Sequence, residues 1–104
     1  MLRWFTDGRD LTVESPQEGF YIRSYSDDSH ELRLWEVHAG TKVEPRQETE
    51  SWTGTMTAGE LEFWVGEVKK NIFPTDVVVL PAHTPYHFKT LGDKTARILW
   101  FRQR

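Results

Sequence analysis

Cysteine is absent from this sequence of 104 residues. Disulfide bonds, thiol nucleophiles and thiolate metal sites are therefore excluded, and the composition suits a reducing compartment. Long apolar runs are absent too, since no stretch approaches the length of a membrane span. The opening residues turn polar too early for a secretion signal. We expect a cytoplasmic protein with no membrane partner.

An excess of positive charge is also lacking. The 13 basic and 16 acidic side chains give a formal net charge of −3 at pH 7. Lysine and arginine are scattered along the chain, and the small local excess lies at Arg102 and Arg104. A nucleic-acid-binding surface needs a concentrated basic patch. We therefore expect no nucleic-acid partner.

Sustained helical periodicity is the third feature that the sequence lacks. Apolar and polar residues instead alternate over short runs, such as 19–25 and 31–38, and each run ends at Gly, Pro, Asp or Ser. The chain has about ten such runs and is long enough for one hydrophobic core. This pattern predicts an all-β protein with a single domain, residues 1–104, built as an antiparallel double sheet or small barrel.

Two runs are apolar without interruption, residues 77–80 and residues 98–101. Such runs are typical of strands that are buried on both faces, so we expect both to lie sandwiched in the core. The corner that follows the first run carries His83, Tyr86 and His87. We expect the functional chemistry of the fold to lie near this corner.

Residues 46–53 are unusually polar for a strand. If they form one, its period of two places Arg46, Glu48, Glu50 and Trp52 on one face. Arg46 and Glu48 could then pair with each other. Either a structural ion pair or a binding site for a small ligand would explain charges at an interior position.

From Gly40 onward the chain resembles the cupins, a family of small jelly-roll barrels. Gly40 and Gly59 stand at the two ends of the first cupin motif with the expected spacing, and Pro81 matches the second motif. The metal-ligand positions of the first motif are occupied by Arg46, Glu48 and Trp52 instead of His, His and Glu. In the second motif Tyr86 stands at the histidine position and Thr90 at the asparagine position. Thr75 and His83 stand where the second motif has glycine. The resemblance implies an antiparallel double-sheet jelly-roll barrel without the usual metal ligands.

The resemblance also implies that Arg46, Glu48, Trp52 and Tyr86 point into the barrel. Arg46 would anchor the charge of a small organic ligand that is acidic or hydroxylated. The aromatic side chains would form the walls of the pocket, and these are Trp52, Tyr86, Trp35 and Trp64. No cofactor is expected.

Three alternatives stay open. Glu48 and Tyr86 could act as the base and acid of a metal-independent enzyme of the isomerase or epimerase type. A displaced metal site could form from Glu48, His83 and His87. The barrel could also be filled by its own rings and serve as a structural module. Under each of these we expect a homodimer, with Trp4 and Phe5 as plausible interface residues.

Overall fold

The computed structural model describes residues 4–104. A 3-10 turn at Gly8–Asp10 precedes ten strands. The strands are β1 Thr12–Gln17, β2 Phe20–Ser26, β3 His30–Val37, β4 Lys42–Arg46, β5 Trp52–Ala58, β6 Leu61–Val65, β7 Val68–Ile72, β8 Val77–Leu80, β9 Tyr86–Thr90 and β10 Ala96–Gln103. In this part of the chain no helix is long and apolar enough to cross a membrane.

The strands form two antiparallel sheets. The six-stranded sheet has the order β1-β2-β3-β10-β5-β8, and the four-stranded sheet has the order β4-β9-β6-β7. Alternate side chains of each sheet point toward the other sheet and form one hydrophobic core. The all-β prediction and the double-sheet jelly roll implied by the cupin resemblance are both confirmed.

Large aromatic rings fill the core between the two sheets. Trp35 from β3 lies 4.9 Å from Trp100 of β10 and 5.2 Å from Phe88 of β9, measured between ring centroids. Phe63 of β6 stacks on Phe88 at 5.2 Å. Gly54 of β5 makes room for Trp100, because a Cβ at Gly54 would lie 2.3 Å from the indole ring. The interior around these residues is therefore closely packed with side chains of the chain itself.

The expectation that β8 is buried on both faces is wrong. Val78 and Leu80 are buried, but Val77 and Val79 are 65% and 54% exposed. The strand lies at the edge of the six-stranded sheet, and only one face of that sheet packs against the other sheet. In β10, likewise, Phe101 is 42% exposed. Both runs thus have a second apolar face that the fold leaves uncovered.

Residues 46–53 do not form the single strand that their alternation suggests. Strand β4 ends at Arg46, and β5 begins at Trp52 in the other sheet. The connecting residues are held by the corner after β8, since the His83 amide donates to the Glu48 carbonyl at 2.7 Å and the Ala82 amide donates to Ser51 Oγ at 3.1 Å. Polar residues are needed here because the chain crosses between sheets at the surface.

Two turns keep the backbone geometry of the glycines that the cupin motif has at their positions. Thr75 has a φ of 80° and His83 has a φ of 61°. This left-handed region is costly for residues with a side chain, and most costly for a β-branched residue such as threonine. Both residues that stand at glycine positions of the second motif thus have a backbone conformation that glycine adopts readily.

Candidate functional site

Tyr86 lies where the aromatic core meets a group of charged side chains. Its ring is 0% exposed and stacks near Trp35 and Phe63, at centroid distances of 5.9 and 6.0 Å. Its hydroxyl donates a hydrogen bond of 2.6 Å to Glu48 Oε2. Burial, with a further contribution from Glu48, raises the pKa of Tyr86 far above its usual range. The side chain is therefore a neutral phenol throughout the ordinary pH range.

Glu48 occupies the loop between β4 and β5 and is half-buried. Its Oε2 accepts from Tyr86, and its Oε1 accepts from Arg33 Nη1 at 2.7 Å. The backbone bond from His83 fixes the loop at the same residue. Both carboxylate oxygens are thus engaged, which satisfies a charged group that would be costly to bury alone.

Arg33 of β3 is a site residue that the sequence predictions missed. Its guanidinium lies 4.3 Å from the centroid of the Trp52 ring while it bonds to Glu48. A signal was present, because alternation along β3 places Arg33 on the same face as Trp35 and Val37, which are core residues. A partly buried charge beside these core residues needs a partner, and Glu48 is that partner.

Arg46 ends β4 directly opposite Tyr86. Its Nε donates to the Tyr86 hydroxyl at 3.3 Å, and its guanidinium carbon lies 5.5 Å from the Phe20 ring centroid. The pairing of Arg46 with Glu48 considered from sequence is not found, since Glu48 pairs with Arg33. Among residues 4–104, no carboxylate lies within 4.0 Å of Arg46. The half-buried guanidinium therefore keeps its two terminal nitrogens free of acidic partners within the described chain.

We call Arg33, Arg46, Glu48 and Tyr86 the polar cluster. It contains two guanidinium groups and one carboxylate, placed beside aromatic side chains. Trp52 of β5 is buried, and the Arg33 guanidinium lies over its ring. Trp35 stacks on Tyr86 and is part of the packed core.

Trp64 was expected in the interior wall, but the structure places it elsewhere. In β6, Leu61 and Phe63 face the core, so Trp64 lies on the outer face of the four-stranded sheet. There it stacks on His87 of β9 with a centroid distance of 5.4 Å. The prediction that Trp64 lies in the interior was therefore wrong. The alternation within β6 was the sequence signal for its outward orientation.

The alternative metal set of Glu48, His83 and His87 is not brought together. His87 lies on the outer face with Trp64, and His83 is exposed at the corner. Within residues 4–104 no three His, Asp or Glu side chains are grouped so that they could hold a metal ion.

An open groove of about 390 Å³ lies away from the polar cluster, on the outer face of the six-stranded sheet between Tyr21, Leu34 and Arg97.

Several solved structures share the fold at low sequence identity. An RmlC-like cupin from Shewanella frigidimarina superposes with a TM-score of 0.79 at 14% identity, over 96% of this chain and 89% of that one. KdgF from Halomonas sp. gives 0.77 at 19% identity, over 96% and 93%. The polyketide cyclase RemF from Streptomyces resistomycificus gives 0.75 at 17% identity, over 95% and 78%.

These similarities establish the fold. Comparison with curated proteins gives no match. The family model for the cupin domain matches residues 33–102, which includes the polar cluster and both motif regions. The chain therefore belongs to the cupin family.

Proposed function

We propose that this cupin binds a small organic molecule with a carboxylate group, and that Arg46 is the anchor. The observation that carries the proposal is the half-buried Arg46 guanidinium, which meets the Tyr86 hydroxyl but no carboxylate in the described chain. A guanidinium offers a planar fork of donors that matches a carboxylate in two parallel hydrogen bonds. A ligand carboxylate would supply the partner that Arg46 lacks.

The other members of the polar cluster orient Arg46. Arg33 holds Glu48, and Glu48 accepts a hydrogen bond from the Tyr86 hydroxyl. The Tyr86 oxygen in turn accepts a hydrogen bond from Arg46 Nε. This direction of donation fixes the plane of the Arg46 guanidinium. Its terminal nitrogens remain available to a ligand. Binding of this kind needs no cofactor, because the arginine itself supplies the positive charge.

The Tyr86–Glu48 hydrogen bond favours a second candidate, in which this pair moves a proton to or from the bound molecule. Binding is the stronger proposal because both oxygens of Glu48 already accept hydrogen bonds, so the carboxylate would have to release one before acting as a base. Deuterium incorporation into pyruvate in heavy water tests this candidate. Exchange above the buffer rate that disappears in Glu48→Gln would support it, and exchange at the buffer rate would refute it.

The binding proposal is tested with benzoate and lactate, each beside its neutral amide. Isothermal titration calorimetry should detect a carboxylate that binds the wild-type protein while the matching amide does not. Arg46→Met should weaken that affinity about 10- to 100-fold, the range for losing one charged hydrogen-bonding partner. Arg9→Met is the control, because Arg9 is highly exposed and pairs with Asp7. Equal affinity in the wild type and Arg46→Met, or no carboxylate binding at all, would refute the proposal.

A further inference from the structure

The outer face of the four-stranded sheet carries a small pocket that the proposed function does not use. Its volume is about 160 Å³. Pockets for drug-sized ligands begin at roughly 300 Å³, so this one has room for a smaller molecule. The residues that line it are Lys42, Glu62, Trp64, His87, Phe88 and Lys89. We call it the lysine pocket.

Strand pairing places two lysines directly opposite each other at this pocket. Lys42 of β4 is the pairing partner of Lys89 in β9. Like charges that are directly opposed across two strands repel each other and destabilise the sheet. An anion between the two ammonium groups would remove this repulsion.

The one carboxylate of the lysine pocket does not neutralise both lysines. Glu62 lies 3.9 Å from the Lys89 ammonium and pairs at 3.6 Å with Lys69 of β7 as well. Lys42, in contrast, forms no ion pair with a carboxylate of the described residues 4–104. The pocket is therefore locally positive on a chain whose formal net charge is −3. This charge pattern is complementary to a small anion.

Two aromatic side chains form the adjoining wall of the lysine pocket. Trp64 of β6 pairs directly with His87 of β9, and their rings stack at a centroid distance of 5.4 Å, 16° from parallel. Trp64 Nε1 also donates to Glu62 Oε1 at 3.3 Å, which helps to fix the indole. Both rings are half-buried, so they are held in place and remain accessible. They offer an apolar surface to the carbon atoms of a ligand whose charged end lies at the lysines.

We infer that the lysine pocket binds a small phosphate monoester, with its phosphate group between Lys42 and Lys89 and its organic part against Trp64 and His87. A phosphate monoester carries a charge of about −1.5 to −2 at pH 7, so it can satisfy two ammonium groups, whereas a carboxylate carries a single charge. Lysine binds phosphate as a point charge and does not offer the planar fork by which arginine matches a carboxylate. This inference is independent of the ligand proposed for Arg46.

The test is isothermal titration calorimetry with glycerol phosphate and phenyl phosphate, at low ionic strength in a buffer free of phosphate. Glycerol and phenol are the neutral counterparts, and inorganic phosphate is the probe without an organic part. At least one of the two esters should bind at one site per chain, more tightly than inorganic phosphate, and the neutral counterparts should not bind. Trp64→Leu should weaken binding of that ester and leave the affinity for inorganic phosphate unchanged, because the wall contacts only the organic part.

Lys42→Met should weaken the affinity for the ester about 10-fold, because it removes one of the two charged partners of the phosphate. Lys94→Met is the matched control, since Lys94 is exposed in the turn between β9 and β10 and its loss changes the net charge equally. It should bind the ester as the wild type does. Near-ultraviolet circular dichroism of the five tryptophans shows whether each variant is folded. If Lys42→Met fails to fold, Lys89→Met decides the question with the same expected loss.

Three results would overturn the inference. The first is that neither ester binds, or that inorganic phosphate binds as tightly as the esters. The second is an affinity that the lysine variants leave unchanged. The third is ester binding that Arg46→Met abolishes while Lys42→Met retains it, because the phosphate would then lie at the polar cluster.

Discussion

Replacing Tyr86 with phenylalanine removes one oxygen atom and preserves the stacked rings around it. That oxygen donates to Glu48 and accepts from Arg46, at 2.6 and 3.3 Å, on a side chain that is 0% exposed. A hydrogen bond to a charged group contributes about 1.5–3 kcal/mol, and the remaining partners would be left partly unsatisfied. We expect Tyr86→Phe to lower the free energy of unfolding by about 2 kcal/mol.

A double-mutant cycle with Glu48→Gln separates this contact from other effects. Glutamine keeps the shape of Glu48 but loses the charge that strengthens its bonds to Tyr86 and Arg33. Because the two residues touch, we expect a coupling energy of about 1 kcal/mol. Urea unfolding followed by tryptophan fluorescence measures each variant, and the extrapolation to zero urea gives the free energies.

Tyr25→Phe is the control for the cycle. The Tyr25 hydroxyl also bonds a carboxylate, Asp27 Oδ2 at 2.7 Å, but at an exposed position. Solvent screening makes such a contact weak, so the loss should be much smaller than that caused by Tyr86→Phe. Equal effects of Tyr25→Phe and Tyr86→Phe, or additive effects of Tyr86→Phe and Glu48→Gln, would refute the reasoning about the polar cluster.

The pH dependence of the free energy of unfolding above pH 10 is a second, independent test of the buried Tyr86 hydroxyl. Burial raises its pKa in the folded protein above the value of about 10 for an unfolded tyrosine. The resulting stabilisation is fully present below pH 10 and is lost as the pH rises above that value. Stability should therefore fall more steeply above pH 10 in the wild type than in Tyr86→Phe. Parallel pH profiles of unfolding free energy would contradict this.

Three further predictions concern the fold. Thr75→Gly should stabilise the protein by about 1 kcal/mol in urea unfolding, because a threonine is strained at a φ of 80°; a destabilised variant would show that the turn is not strained. Gly54→Ala should lower the free energy of unfolding by about 1–3 kcal/mol, because the new Cβ would lie 2.3 Å from Trp100. Gly8→Ala is the control and should be nearly neutral, because no atom lies within 4 Å of its Cβ. Equal effects of the two substitutions would contradict the close packing. Hydrogen bonds from Tyr25, Ser29 and His30 lower the pKa of Asp27 to about 2. Asp27→Ala should therefore reduce the melting temperature at neutral pH, and this effect should disappear as the pH falls from about 4 through 2. A difference in melting temperature between wild type and variant that does not shrink over this range would rule out this contribution.

The strands and their inner faces could be predicted from alternation in the sequence. Phe20 and Ile22 face the core as their spacing indicates, and Leu61 and Phe63 show the same period in β6. The motif spacing also assigned Glu48 and Tyr86 to one candidate site, and the two side chains are hydrogen-bonded although they are far apart in sequence. Spacing is informative there because the turns between strands have fixed geometry.

Other features depend on tertiary packing that alternation does not encode. Residues 46–53 alternate as a strand would, yet the chain changes sheets within them, so Arg46 and Trp52 belong to different sheets. The apolar run of β8 predicts burial on both faces, but the described chain covers only one of them. The partner of Glu48 could not be chosen among the arginines, because pairing depends on how the loop between β4 and β5 lies against strand β3.

The measurement that tests the proposed ligand site most directly follows the arginine side chains by nuclear magnetic resonance during a titration with benzoate. If Arg46 is the anchor, its Nε–H signal should shift progressively and saturate, while the signal of the exposed Arg9 should stay in place. The signal of Arg33, which is held by Glu48, should move less than that of Arg46. Binding of benzoate that leaves the Arg46 signal unchanged, or uniform shifts of all arginines, would contradict the account.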